Sequence, residues 1–227
     1  MFNYTLNTYE MKRDILNFSN KMSNNLSKPT KKFVMDSLYG IAKSKSCLIS
    51  NIARALKEDV KLKYVIERLC DNLNSFDDTE TLYNNYIEEI GDIYGKEPVV
   101  LFDDSDISKV YGKKFEDLDD VIDASSQDKK VTKGYHVCEA TILTKNEKQT
   151  LSIYSQIYSC KSKNFESKNK YTIESIKAAE KLVGSNFTGV FDRGYDDNKI
   201  FNYMEKNKHK FVVRLDDQRV LLFKGIR

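Results

Sequence analysis

A chain of 227 residues with 40% hydrophobic and 31% charged side chains is long enough to bury a core, and its 2 prolines exclude long proline-rich linkers. The formal net charge of +3 names no partner by itself. Cys47, Cys70, Cys138 and Cys160 are scattered, with neither a C-x-x-C pair for zinc nor the density of a disulfide framework, so they read as reduced side chains.

Met1-Phe2-Asn3-Tyr4 lacks the basic, apolar, small-residue order of a signal peptide, and no apolar run reaches membrane-spanning length. A cytoplasmic protein with no membrane partner is expected. Residues 1–97 read as a helical region. Ile52, Leu56, Leu62, Val65, Ile66 and Leu69 recur at helical spacing, with Lys57-Glu58-Asp59 as a break, which predicts a helix-turn-helix-like pair. Charge is uneven here. Basic residues dominate from Lys28 to Arg68 and acidic ones from Asp71 to Asp106. Lysine and arginine neutralise phosphates, so Arg54, Lys57, Lys61 and Lys63 are candidate DNA contacts. Asp77 to Thr79, followed by Leu82, Tyr83, Tyr86, Ile87 and Ile90, predicts a further helix ending near Gly91 or Gly95, and Pro98 marks a boundary.

Residues 98–227 change to a strand pattern. Val99-Val100-Leu101-Phe102 predicts a short buried strand with carboxylates directly after it. Tyr135–Thr144 and Thr150–Tyr158 predict two antiparallel strands joined by a hairpin turn at Lys145-Asn146-Glu147-Lys148. Lys161 to Lys170 reads as a solvated basic loop. Ile173, Ile176, Ala179, Leu182 and Val183 predict a helix closed by Gly184. Thr188–Phe191 returns as a strand, Asp196–Lys206 as a helix, and Phe211–Leu215 as a last strand. This order predicts an α/β fold with a mixed sheet, RNase H-like in outline.

Two aspartate groups follow apolar strands. In Asp103-Asp104-Ser105-Asp106, strand alternation puts Asp104 and Asp106 on one side and Asp103 on the other. Phe191-Asp192-Arg193-Gly194-Tyr195-Asp196 supplies the second group. Clustered carboxylates offer hard oxygen ligands suited to magnesium or manganese. The plainer alternative is a turn cluster, with Asp192 paired to Arg193 and Asp196 capping the next helix. His136 and His209 have no ligand partner at metal-site spacing and read as strand or surface histidines.

Asp103-Asp104-Ser105-Asp106-Ile107, Tyr111-Gly112-Lys113-Lys114, Val121-Ile122-Asp123-Ala124-Ser125, Asp192-Arg193-Gly194-Tyr195-Asp196 and Phe211-Val212-Val213-Arg214 together resemble insertion-sequence-4-type transposases of the Asp-Asp-Glu class. The resemblance covers about Val99 to Arg227. It implies an RNase H-like catalytic core, DNA transposition, Asp104 and Asp192 as the first two catalytic and metal-binding carboxylates, and magnesium or manganese as cofactor. It implies transposon ends and target DNA as partners and a homodimer that pairs two ends; beside Asp192, Arg193 is a candidate phosphate contact, with a structural ion pair as the alternative. The family's third carboxylate is a glutamate on a later helix. The chain stops before that helix, with Arg219-Val220-Leu221-Leu222-Phe223-Lys224-Gly225 resembling the start of the intervening insertion. Glu139 and Glu174 fall in the wrong part of the pattern to supply it. A non-catalytic DNA-binding remnant or inhibitor is the alternative expectation, and a host nuclease of the same fold a third.

Overall fold

The computed structural model describes residues 4–91, 93–112, 114–122, 130–146 and 148–220. Two units divide the chain, Met1–Gly91 and Asp92–Arg227.

The first unit is helical, with α1 (Tyr4–Met22), α2 (Lys28–Ser44), α3 (Ile49–Leu56), α4 (Leu62–Asn74) and α5 (Thr79–Ile90). Ser27 caps α2 by accepting from the Thr30 N–H, and Pro29 sits in the first turn, where its missing donor costs nothing. Ile52, Ala53, Val65 and Leu69 form a buried cluster, with Phe33, Ile49, Leu56 and Ile66 packed against it. The expected break between α3 and α4 is present, and Lys57 makes the turn in the left-handed region at φ 53°. A Cβ on Gly40 would lie 2.4 Å from Ile52 Cγ2, so the glycine is what allows α2 to approach α3 this closely.

Part of the basic surplus is used inside this unit. Buried Asp36 accepts from Lys32 at 2.8 Å and from Arg68 at 2.7 Å, while Glu58 accepts from Arg68 at 2.6 Å. Lys32 and Arg68 therefore hold α2, the α3–α4 turn and α4 together.

The second unit is α/β. Its elements are β1 (Val99–Ser108), β2 (Asp119–Ile122), β3 (Val131–Leu143), β4 (Thr150–Tyr158), α6 (Lys168–Val183), β5 (Thr188–Phe191), α7 (Asn198–Lys206) and β6 (Lys210–Val213). The sheet is mixed. β1 is antiparallel to β3 and parallel to β5, and β5 is parallel to β6. β3 carries β1 along one side and both β2 and β4 along the other, so Gly134 is paired with Ser108 and with Asp119 at once.

Several elements differ from the sequence reading. β1 is 10 residues long, so Asp103, Asp104 and Asp106 lie within the strand rather than after it. The long partner β3 explains this, since its pairing with β1 continues to Ser108↔Gly134 and gives even the polar half of β1 a hydrogen-bonded neighbour. β2 was not expected at all. The basic loop is shorter than predicted, because Ser167 caps α6 by accepting from the Lys170 N–H and residues 168–170 are helical. Asp197, not Asp196, caps α7, accepting from the Lys199 N–H at 2.7 Å. The predicted hairpin turn is present, with the Thr144 N–H donating to the Gln149 carbonyl. Its Glu147, together with Lys113, Asp123, Ala124, Ser125 and Leu221 to Gly225, lies outside the described residues.

One face of the sheet carries Val100, Phe102, Ala140, Gly189 and Phe191. Phe102 and Phe191 stack there with centroids 4.5 Å apart. α6 packs over β1, β3 and β4, burying Ile176 and Ala179. α7 brings Met204 over Gly189, where an added Cβ would meet Met204 Cε at 3.0 Å. The opposite face carries Leu101, Val190 and Val212, which stay partly exposed. None of the described helices is long and apolar enough to cross a membrane.

Candidate functional site

Strand alternation divides the Asp103–Asp106 cluster between the two faces. Phe102 is in register with Phe191, so the next residues along the parallel pair, Asp103 and Asp192, come side by side where that pairing ends. Asp103 also stands directly across from Glu139 on β3. Burial pushes the Asp103 carboxyl above its ordinary range, and the nearby charges of Asp192 and Glu139 push it further. Asp103, Glu139 and Asp192 thus form one group of acids on the open face, at the carboxyl end of β1 and β5. Ligands of open α/β sheets commonly bind at such strand ends.

Asp192 leaves β5 in extended conformation, and its side chain accepts the Gly194 N–H at 2.8 Å across the turn Arg193–Tyr195. It is exposed and makes no ion pair with Arg193 among the described contacts. Arg193 instead lies 3.8 Å from Asp216 and 3.7 Å from Asp217, both long contacts on an exposed guanidinium. Asp196 pairs with Arg219 at 2.6 Å and accepts from the Asp216 N–H. The turn-cluster alternative is therefore half present: these acids do organise local structure, but with other partners than the sequence suggested.

Asp104 lies on the face that carries α6, away from Asp103, although it is exposed at the surface as Asp103 is. Its register partner is Cys138, whose buried thiol also neighbours Ser175 on α6. Burial raises the Asp104 carboxyl, while Tyr195, Cys138 and Lys168 oppose that shift. The Tyr195 hydroxyl is buried and meets no partner at hydrogen-bond geometry. Burial first, and the Asp104 charge second, hold that phenol far above its usual range. Burial pushes the Cys138 thiol up to about 12, so it stays protonated and unreactive at neutral pH. The structure thus brings Asp103, rather than Asp104, to Asp192. Glu174 sits on α6 and accepts a hydrogen bond from the Tyr154 hydroxyl at 3.4 Å.

A second group, missed in the sequence, lies on the Asp104 face. Asp119, His136 and Cys160 offer one ligand atom each within 4.8 Å of one another, and the cluster could hold a metal ion. Asp119 begins β2, His136 lies in β3 and Cys160 follows β4. Asp119 Oδ2 accepts from the Cys160 N–H at 2.8 Å, and Oδ1 accepts from the Asp120 N–H at 2.8 Å. Burial alone would raise the Asp119 carboxyl, but these N–H groups, the Cys160 thiol and His136 outweigh it and hold it below the ordinary range. His136 is the strand histidine expected, in β3, whereas His209 is buried rather than at the surface. His136 is mostly buried, and His209 is enclosed between Glu180 at 2.7 Å and the Ser185 carbonyl at 3.1 Å. Sequence spacing carries no signal for the Asp119, His136 and Cys160 group, because the β2–β3 and β3–β4 registers assemble it.

In the helical unit, Arg54, Lys57, Lys61 and Lys63 are all exposed around the α3–α4 turn. Arg54 donates to the Ser50 carbonyl and to Asn51, each at 3.2 Å, and Lys63 makes a 3.6 Å contact with Glu67 at the surface. Exposed Val60, Leu62 and Tyr64 are interleaved with them. No protein-family model matches this chain and no curated protein matches it, so a function for it rests on its own residues.

Proposed function

We propose that this chain carries the DNA-binding region and the central catalytic sheet of a DNA transposase, acting by metal-dependent phosphoryl transfer. The observation that carries the reading is the convergence of Asp103, Glu139 and Asp192 on one face at the end of the β1–β5 pair. Like charges held together repel unless a cation lies among them, and an all-oxygen donor set suits magnesium or manganese. The strand order β4-β3-β1-β5-β6, with β1 antiparallel to β3 and parallel to β5, supports an RNase H-like core with β2 added beside β4. Bound there, such ions would supply activation of the attacking oxygen and stabilisation of the leaving oxygen.

The chain's own residues do the positioning. The β1–β3 pairing fixes the strand positions of Asp103 and Glu139, and the Gly194 N–H holds the Asp192 carboxylate, so the three acids are gathered before DNA arrives. In this reading Asp103 takes the place that the sequence pattern suggested for Asp104, and Glu139 supplies a further carboxylate to the same face. Among the described residues the exposed Arg193 makes long contacts to Asp216 and Asp217, which it can exchange for a phosphate. Arg54, Lys57, Lys61 and Lys63 give the α3–α4 pair a basic surface for DNA, and cutting two paired ends would engage two copies of the chain.

The test is strand cleavage of transposon-end DNA in magnesium or manganese. Asp192→Asn is expected to abolish cutting while leaving gel-shift binding of the same DNA within a few-fold of the parent. Cutting retained by that variant would sink the proposal, and binding without any cutting by the parent chain would favour the non-catalytic DNA-binding alternative.

A further inference from the structure

We infer that Asp119, His136 and Cys160 form a zinc site, positioned by Asp106 and separate from the carboxylate group on the other face. His136 Nδ1 lies 2.7 Å from Asp106 Oδ1. A carboxylate only accepts, so Nδ1 carries the hydrogen and Nε2 is the atom turned toward Asp119 and Cys160. This is the arrangement in which an outer carboxylate orients a histidine whose other nitrogen binds a metal.

The three donor atoms lie within 4.8 Å of one another, and His136 Nε2 stands 3.5 Å from Asp119 Oδ2. Two ligands on a tetrahedral ion with bonds of about 2.0–2.1 Å sit roughly 3.3 Å apart, so small side-chain movements close the set around one ion. A thiol, an imidazole and one carboxylate form a donor set of borderline softness, which selects zinc over magnesium. Three protein ligands leave a fourth position for water.

The ligands are also held in place without the ion. Asp119 is fixed by the Asp120 and Cys160 N–H groups, which ties the residue after β4 to the start of β2. Lys161 reaches Asp120 at 3.0 Å and stands 3.8 Å from Asp119, so it balances the second acid at the rim without entering the cluster. The Tyr158 ring covers His136 with centroids 5.3 Å apart.

The experiment is zinc retention by the full chain after exhaustive dialysis, together with the visible spectrum of the cobalt-substituted protein. One zinc per chain and a thiolate-to-cobalt charge-transfer band are expected. Both should survive Cys47→Ser with Cys70→Ser and disappear in Cys160→Ser and in His136→Gln, with far-UV circular dichroism confirming that the variants fold. Asp106→Asn keeps all three ligands and is expected to weaken zinc affinity about 10- to 100-fold in chelator competition. That variant carries the test if Cys160→Ser fails to fold. A parent chain that binds zinc no more tightly than Cys160→Ser, or an Asp106→Asn chain with parental affinity, would overturn the assignment and leave the three residues as a hydrogen-bonded cluster.

Discussion

Asp103→Asn is expected to lower metal-dependent DNA cutting on the order of 10³-fold, while Asp104→Asn retains activity within about tenfold. The first figure follows from removing one group that stabilises charge in the transition state, worth about 4 kcal/mol. The contrast follows from alternation along β1: Asp103 stands beside Asp192 and Glu139, whereas Asp104 faces Cys138, Tyr195 and Lys168 on the helix-covered side. A pH series adds an independent readout. The Asp103 carboxyl is raised above its unfolded value, so its charge destabilises the fold above the raised pKa, and that penalty fades as pH falls toward the unfolded value near ~3.9. Asp103→Asn removes the penalty, so the variant should melt higher than the parent at neutral pH, with the difference vanishing in acid. Lost activity with gained stability is the pattern expected where a site holds like charges together for function. Equal loss of activity in both variants would assign the chemistry to the cluster as a whole rather than to one face.

Gly134→Ala should lower the melting temperature on the order of 10 °C. The added Cβ would lie 2.2 Å from the Ile107 carbonyl oxygen and 2.7 Å from Val121 Cγ2. The first neighbour is backbone of the paired strand β1 and cannot swing aside as a side chain tip could. Gly134 is the residue of β3 paired with both β1 and β2, at Ser108 and at Asp119, so displacement propagates to both partners. Overpacking of this kind costs about 3 kcal/mol, and each kcal/mol moves the midpoint by roughly 2–4 °C for a chain of this size. Differential scanning calorimetry measures the shift. A midpoint within about 2 °C of the parent would mean that β1 and β3 are less tightly paired than their register indicates.

The order of elements was largely legible because periodicity and punctuation were strong. Thr150–Tyr158 and Thr188–Phe191 carry β-forming runs bounded by turn residues, and Gly184 adopts φ 72° at the end of α6, where an αL-tolerant residue was expected. β2 was invisible because Asp119-Asp120-Val121-Ile122 is short and half acidic, and only pairing with the extended β3 makes it a strand. The length of β1 escaped for a related reason, since a run of aspartate and serine has poor strand propensity and is recruited by its partner. Ser27 with Pro29 was a readable helix start that the sequence reading passed over.

For the candidate site, the sequence exposed the two aspartate groups but not which member of the first meets the second. That choice depends on the register Phe102↔Phe191, a property of strand pairing rather than of spacing. Glu139 was set aside on its place in the family's pattern, although its pairing with Asp103 brings it to the shared face. The basic region was visible by composition, yet composition could not separate Lys32 and Arg68, which bind Asp36 and Glu58, from Arg54, Lys57, Lys61 and Lys63, which remain at the surface.

The most direct measurement is manganese binding followed by electron paramagnetic resonance, comparing the parent chain with Asp103→Asn and Asp192→Asn. The parent is predicted to bind manganese in competition with magnesium, with affinity lowered at least about tenfold by either substitution and left near parental by Cys160→Ser. Undiminished manganese binding in both aspartate variants would contradict the assignment of Asp103, Glu139 and Asp192 as the metal-holding face.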